Sequence, residues 1–244
     1  MQTFNIRGKF NLRGRKGLII LILLVLPLAA FAQRRKQLNN PNYDRRWLTY
    51  GFLLQGQTSS YQIKYSDAFV SDSFDSVYAI SPKWSTGFSL GFIVNFRLEE
   101  YFDLRLTPTV SFHEYAIDYE YVDEPVDNQL IESTVVELPV MLKYKSARRG
   151  NARMYFVGGV KPGFEVSGKN KNEDFGDDYL ITKDFNFSGE LGFGVDIYYP
   201  LFKFSPEIRF SKGFTNLLGD ANNAYGAGLD RINTNTVSLI LLFQ

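Results

Sequence analysis

The chain has 244 residues, of which 45% are hydrophobic and 16% aromatic, and its formal net charge is +1. This length and composition suit one ordered domain and exclude a disordered chain. The near-neutral charge gives no reason to expect a nucleic-acid partner. The chain contains no cysteine, which excludes disulfides, lipid attachment through cysteine and thiolate metal sites.

Residues 1–32 have the pattern of a secretory signal peptide. Basic residues precede an apolar run over residues 18–26, and residues 30–32 form an A-x-A cleavage site before Gln33. The alternative is a retained membrane anchor, but the apolar stretch is shorter than the ~20 residues that a spanning helix needs. We therefore expect export and cleavage. Removal of this segment leaves 22 basic and 26 acidic residues, a net charge of −4.

Beyond a basic, Asn-rich lead over residues 33–46, apolar and polar residues alternate with a period of two, which is the pattern of half-exposed β-strands. The two clearest segments are 84–98 and 185–199. Turn-forming residues separate the segments from one another. The predicted strands cover residues 47–56, 84–98, 102–121, 131–145, 152–166, 185–199, 202–213 and 233–243.

The predicted connections alternate between short and long. The short ones are 99–101, 146–151 and 200–201, and the long ones are 57–83, 122–130, 167–184 and 214–232. Short turns at one end and long loops at the other are typical of bacterial outer-membrane barrels. The sequence therefore predicts an all-β fold over residues 47–244, an eight-stranded antiparallel transmembrane β-barrel with short periplasmic turns and longer external loops.

The composition of the polar face predicts which side of the sheet faces inward. This face combines glycines with long charged side chains, a mixture that fits the narrow interior of an eight-stranded barrel. We therefore expect it to line the lumen, while the apolar face contacts outer-membrane lipids. Charges removed from water are costly unless paired, so ion pairs are expected rather than an open pore. The predicted lumen polar network comprises Arg97, Arg105, Glu137, Lys143, Glu190, Asp196, Lys203, Glu207 and Arg209.

Aromatic residues gather near the predicted strand ends, as is typical at the level of lipid headgroups. They are Trp47, Tyr50, Tyr101, Phe102, Tyr144, Tyr198, Tyr199 and Phe202. Four prolines fall inside predicted strands, and each predicts a bulge, a strand end or a shifted boundary. They are Pro108, Pro139, Pro162 and Pro206. In the third predicted strand the outward apolar row changes parity, from Val110 and Phe112 to Tyr115, Ile117, Tyr119 and Tyr121, which predicts an inserted residue near His113 or Glu114.

His113 is the only histidine of the chain and follows Ser111 by two residues. Glu114 and Glu137 are predicted to lie nearby. A Ser, His and acid set can activate a nucleophile, so a small barrel enzyme that modifies lipids through His113 is an alternative function. We favour a histidine hydrogen-bonded in a polar lumen network, because residues two apart on a strand are neighbours in any barrel.

Four acidic residues in a predicted external loop lack the spacing of a calcium-binding loop, so a solvated acidic loop is favoured. They are Glu173, Asp174, Asp177 and Asp178. We predict no catalytic residue, no cofactor and no metal site.

Three stretches resemble the PorT family of outer-membrane proteins: residues 95–105, 132–146 and 190–211. The last contains a Phe-Lys-Phe-Ser-Pro-Glu run, which generic barrels do not share. The resemblance extends from Tyr50 to Phe243. It implies a component of the type IX secretion system, which moves folded cargo across the outer membrane and in some bacteria supports gliding motility. The family has no established catalytic activity, so the resemblance brings no active-site residues.

We therefore expect a non-enzymatic component that supports secretion through contacts with other type IX secretion components, in addition to outer-membrane lipids. It should not itself be the conduit, because eight strands leave no room for folded cargo. No nucleic acid or small-molecule substrate is expected. A further alternative is a structural or adhesion barrel whose long loops bind an outside partner. The motif residues are expected to form a structural or partner-facing network: Glu137, Pro139, Lys143, Glu190, Asp196, Lys203, Glu207 and Arg209.

Overall fold

The fold is described from a computed structural model. The described residues are 38–70, 77–121, 127–166, 180, 182–219, 226 and 228–244. The predicted signal peptide and the acidic loop over 173–178 lie outside the described residues and stay predictions. Within the described part of the chain, no helix is long and apolar enough to cross a membrane.

Eleven β-strands make up most of the described residues. They are β1 (Leu48–Tyr65), β2 (Val77–Lys83), β3 (Ser85–Arg97), β4 (Phe102–Leu106), β5 (Thr109–Tyr121), β6 (Asp127–Glu137), β7 (Val140–Lys145), β8 (Ala152–Glu165), β9 (Phe185–Tyr198), β10 (Lys203–Gly213) and β11 (Leu229–Phe243). Strands β2 and β3, β4 and β5, and β6 and β7 continue one another, so the eleven occupy eight positions. All pairings are antiparallel, and β1 pairs with β11 to close the ring. The predicted eight-stranded antiparallel barrel is confirmed.

The strands extend further toward the long-loop end than predicted. β1 continues to Tyr65, and β2 occupies part of the predicted loop 57–83. Likewise, β6 begins at Asp127 and β11 at Leu229. Alternation weakens in these extensions because an outward face beyond the lipid layer has no need to be apolar, whereas backbone pairing continues.

Three of the four strand prolines lie side by side in one interruption of the sheet. Pro108 separates β4 from β5, Pro139 separates β6 from β7, and Pro162 occupies the matching position of β8. Proline has no N–H to donate, but each of the three carbonyls accepts a neighbouring backbone N–H at 2.9 to 3.1 Å. Pro206 falls in a gap in the pairing between β9 and β10. The predicted irregularities therefore occur. Because three of the prolines lie side by side, the missing backbone hydrogen bonds are confined to one part of the sheet.

The predicted insertion near His113 or Glu114 is wrong. β5 keeps an unbroken register with β6 from Thr109 to Tyr119, and its inward row continues through this region. The register shifts by one residue on the other side of β5, where β2 and β3 meet at Trp84. The extra residue therefore lies in the neighbouring strand.

Apolar side chains of β5 fill the lumen at the long-loop end. Tyr115, Ile117 and Tyr119 are buried there with Tyr61 of β1, and the Tyr61 and Tyr115 rings stack at 4.2 Å. The cluster is completed by Ile80, Ile131, Leu180, Leu217, Leu218, Leu229 and Ile232. Sequence alone does not separate an apolar residue that faces lipid from one covered inside, since both leave water.

The outer face of the described barrel is apolar, as predicted. Phe88, Leu90 and Phe92 of β3 are exposed, whereas Ser89 and Asn95 on the alternate positions are buried. Seven of the eight predicted girdle aromatics are exposed: Trp47, Tyr50, Tyr101, Phe102, Tyr144, Tyr199 and Phe202. The eighth is a correction, because Tyr198 is 1% exposed and belongs to the interior.

Gly194 is required by a close approach inside the barrel. It pairs across strands with Tyr155. A Cβ at this position would lie 2.5 Å from the Tyr155 hydroxyl oxygen and 2.8 Å from the carbonyl oxygen of Pro206. The missing side chain therefore lets the Tyr155 side chain cross the lumen.

We expect Gly194→Ala to destabilise the barrel by about 1–3 kcal/mol, because the added methyl overpacks a filled interior. The matched control is Gly56→Ala on the lipid-facing side of β1, where an added Cβ meets no atom within 4 Å. The measurement is the urea concentration at which half of the protein is unfolded. The folded fraction is read by electrophoresis of unheated samples, in which the folded barrel migrates differently from the unfolded chain. Equal midpoints for the two variants would show that the Gly194 contact is unimportant.

Candidate functional site: the lumen polar network

The structure brings together eight of the nine residues predicted to form the lumen network. Alternation along the strands turns every second side chain inward, so residues distant in sequence meet across the narrow ring. The eight buried residues are Arg105, Glu137, Lys143, Glu190, Asp196, Lys203, Glu207 and Arg209. The exception is Arg97, whose Nε donates to the carbonyl of Glu99 at the short turn after β3.

A line of alternating charges begins at Arg105, which is fully buried. Its Nη1 donates to Oε2 of Glu207 at 2.8 Å. Arg209 binds the other oxygen of this carboxylate and reaches Oε2 of Glu190 at 3.0 Å. Because Glu207 and Glu190 each face at least one guanidinium, the desolvation cost of these charges is largely offset.

The line continues through Lys161 to Glu137. Lys161 Nζ lies 3.2 Å from Glu190 Oε1 and 2.8 Å from Glu137 Oε1. The second oxygen of Glu137 accepts a hydrogen bond from Ser111 Oγ at 2.8 Å. Lys161 therefore links two carboxylates that lie on different strands.

A second cluster is built around Asp196. Lys143 Nζ contacts both carboxylate oxygens, at 2.9 and 2.7 Å. The hydroxyl of Ser205 donates to Oδ1 at 2.7 Å, and Lys203 lies 4.0 Å away. One buried carboxylate thus faces two lysines, in close contact with Lys143 and at the limit of an ion pair with Lys203, and the neutral hydroxyl of Ser205 adds a hydrogen bond.

Tyr155 connects the two charge clusters. Its hydroxyl donates to Glu207 Oε2 at 2.8 Å, and its ring faces Lys143 Nζ at 3.7 Å and the Arg105 guanidinium at 5.2 Å. Such cation–π contacts stabilise charges removed from water. The sequence prediction omitted Tyr155 because it counted only side chains that carry a formal charge at neutral pH. Alternation alone was sufficient to place Tyr155 inside the barrel, because Tyr155 and Lys161 lie on the same face of β8.

A further ion pair, missing from the predicted network, joins Asp103 and Lys145, both buried. Asn95 Nδ2 also donates to Asp103 Oδ2, at 3.1 Å. Lys145 lies on the same face of β7 as Lys143, so the alternation was sufficient to place it inside.

The lead segment closes the short-turn end of the lumen. The Tyr198 hydroxyl donates to Asp44 Oδ1 at 2.7 Å, and Arg153 approaches the same oxygen at 3.3 Å. The ring of Tyr43 packs edge-on against Tyr198, with Lys203 Nζ 4.8 Å from its centre. Burial raises the pKa of Tyr43 to about 12, so it stays neutral at physiological pH. These contacts keep the described lead residues against the barrel.

The surroundings of His113 do not match the predicted Ser111 arrangement. Ser111 Oγ donates to Glu137, whereas Gln57 and Ser59 approach His113 Nδ1 at 3.1 and 3.2 Å. His113 Nε2 lies 3.5 Å from Glu137 Oε1. The Ser59 hydroxyl also contacts Thr236, so these groups satisfy one another inside the barrel. Glu114 is not among them, because it lies on the outward face of β5. Among the described residues, no group of three His, Cys, Asp or Glu side chains could hold a metal ion.

We expect Arg105→Met to destabilise the barrel by about 3–5 kcal/mol, because it leaves a buried carboxylate without one of its cations. The control is Asp230→Asn, which removes an ion pair to Lys64 of similar length, 2.7 Å, but on the surface. The control should leave the midpoint unchanged. Both are measured by urea titration of the folded barrel in detergent. Indistinguishable midpoints would contradict a stabilising role for the lumen charges.

Comparison with known proteins gives one family match. Residues 31–219 match the family described as "Outer membrane protein beta-barrel domain". A search of curated protein sequences found no match.

Similar solved structures include OprG from Pseudomonas aeruginosa, with 13% identity, 79% of this chain and 94% of that chain covered and a TM-score of 0.40. The Neisserial surface protein NspA gives 12% identity, 81% and 98% coverage and a TM-score of 0.37. The translocator domain of the autotransporter NalP from Neisseria meningitidis is 7% identical, with 95% of this chain and 97% of that chain covered and a TM-score of 0.34.

The family match spans more than half of the chain, and the described strands close into the barrel that such a family requires. The chain therefore belongs to the outer-membrane β-barrel domain family.

Proposed function

We propose that this barrel is a non-enzymatic component of the type IX secretion system that supports protein secretion, and gliding motility where the cell has it, through protein–protein contacts. The observation that carries the proposal is the filled lumen. Paired charges occupy its short-turn half, and apolar side chains occupy its other end. An interior of this kind has no passage for folded cargo, so the protein acts through its outer surface, loops or turns.

The resemblance to the PorT family supports the choice of secretion system. In two of the three similar stretches, 132–146 and 190–211, the charged motif residues named above are buried, so they serve the barrel interior. A partner must instead contact side chains of the same stretches that lie outside.

The turn between β9 and β10 offers such a contact. Leu201 at its tip is 94% exposed, while the flanking Tyr199 and Phe202 rings stack at 4.9 Å and support the turn. By the topology of outer-membrane barrels this short turn faces the periplasm. A rigid turn that presents an apolar tip is suited to a protein partner.

The test is affinity purification of the tagged protein from outer membranes in mild detergent, with mass spectrometry of the co-purifying proteins. We expect other type IX secretion components to be recovered, and secretion to be lost when the gene is deleted. Leu201→Asp should fold but reduce both recovery and secretion. The double variant Lys145→Met/Asp103→Asn, which neutralises a buried pair, should retain both wherever the barrel folds.

The opposite pattern would overturn the proposal. Recovery of the barrel alone, from cells that secrete normally without it, would remove the secretion role. The lipid-modifying alternative is tested with His113→Ala, since unchanged secretion together with an unchanged lipid profile removes it. The adhesion alternative predicts that deletions in the long loops abolish surface binding and leave secretion intact.

A further inference from the structure

One side of the outer surface carries an isolated group of cations near the long-loop end. Lys64 of β1 and Arg231 of β11 are cross-strand partners, and Lys212 lies on the neighbouring strand β10. They share a shallow concavity with Gln62, Phe214 and Asn233. We call these six residues the basic patch.

The basic patch has an excess of positive charge. Lys64 pairs with Asp230 at 2.7 Å. Within the described residues, Lys212 and Arg231 have no ion-pair partner, and no carboxylate lines the concavity. Three cations with one carboxylate beside them leave two charges uncompensated.

The basic patch is continuous with the lipid-facing surface. Lys212 lies on β10 between Phe210 and Phe214, whose side chains are 52% and 60% exposed. A charge on the lipid face is costly at the centre of the bilayer and tolerated near the headgroups. The position of Lys212 between exposed aromatic rings therefore indicates the headgroup level, and the long-loop end indicates the outer leaflet.

The opposite side of the barrel has the reverse charge. Glu114 of β5 and Glu132 of β6 are cross-strand partners on the outer face. Lys83 on that side is paired with Asp118 at 3.2 Å. Among the described residues of the outer face, an anion that approaches from the membrane is therefore attracted to the basic patch and repelled by the pair of Glu114 and Glu132.

We propose that the basic patch binds the phosphate groups of an outer-leaflet glycolipid of the lipid A type, with the acyl chains lying along the apolar face below it. Lys212 and Arg231 contact the phosphates, and Phe210, which lies on the membrane-centre side of Lys212 on β10, contacts the acyl chains. This inference depends on the membrane location and is independent of the secretion role. A bound glycolipid would fix the depth and the orientation of the barrel at this side.

The test uses the full-length protein in detergent micelles and native mass spectrometry. The probes are bis-phosphorylated lipid A and the same lipid without its phosphates. We expect only the phosphorylated form to remain bound. Loss of two interfacial cations in Lys212→Gln/Arg231→Gln should weaken binding roughly 10- to 30-fold. The control Lys83→Gln should bind as the wild type does. An unchanged heat-dependent electrophoretic shift establishes that each variant is folded.

Four results would overturn the proposal. The first is equal binding of the two lipids, and the second is unchanged binding by the double variant. The third is displacement of lipid A by inorganic phosphate at equal concentration, which would identify free phosphate as the ligand. Capture of an acidic protein through Lys212 and Arg231, without lipid A binding, would likewise assign the patch to a protein partner.

Discussion

The narrow interior of an eight-stranded ring is the constraint on which the rest of this structure depends. Closing β1 onto β11 leaves room only for side chains, so the charged residues that face inward must be paired inside the barrel. The charges meet this demand as a line from Arg105 to Glu137 and a cluster around Asp196. Tyr155 joins the two, and Gly194 gives it space. Packing and polar pairing therefore act together.

Strand periodicity was sufficient to predict the ring, its short turns and eight of the nine network residues, because alternation is a direct consequence of strand geometry. The prediction failed where an apolar side chain faces the covered lumen and not the lipid. Tyr115 and Ile117 were expected to face lipid but fill the lumen. The covered lumen and the lipid layer both exclude water, so both favour apolar side chains. Tyr198 was assigned to the girdle but binds Asp44. Contacts of that kind depend on the closed barrel and leave no local pattern in the sequence.

Because the lumen is filled, the side chains that a partner can contact lie on the outer surface, the loops and the turns. The charged motif residues within the similar stretches are buried, whereas Leu201 and the three cations of the basic patch are exposed at opposite ends of the barrel. The proposed protein contact lies at the periplasmic turn, and the proposed lipid contact lies near the outer leaflet. The proposed lipid contact would hold the barrel in one orientation. The proposed protein contact at the other end would then present the same turn to every partner.

Whether the lumen is closed is tested most directly by the conductance of the purified protein in a planar lipid bilayer. We expect no stable ion current, because charge pairs, apolar side chains and the described lead residues Tyr43 and Asp44 occupy the interior. A steady, reproducible open channel would contradict this expectation, since ions would then cross a region in which the described side chains contact one another.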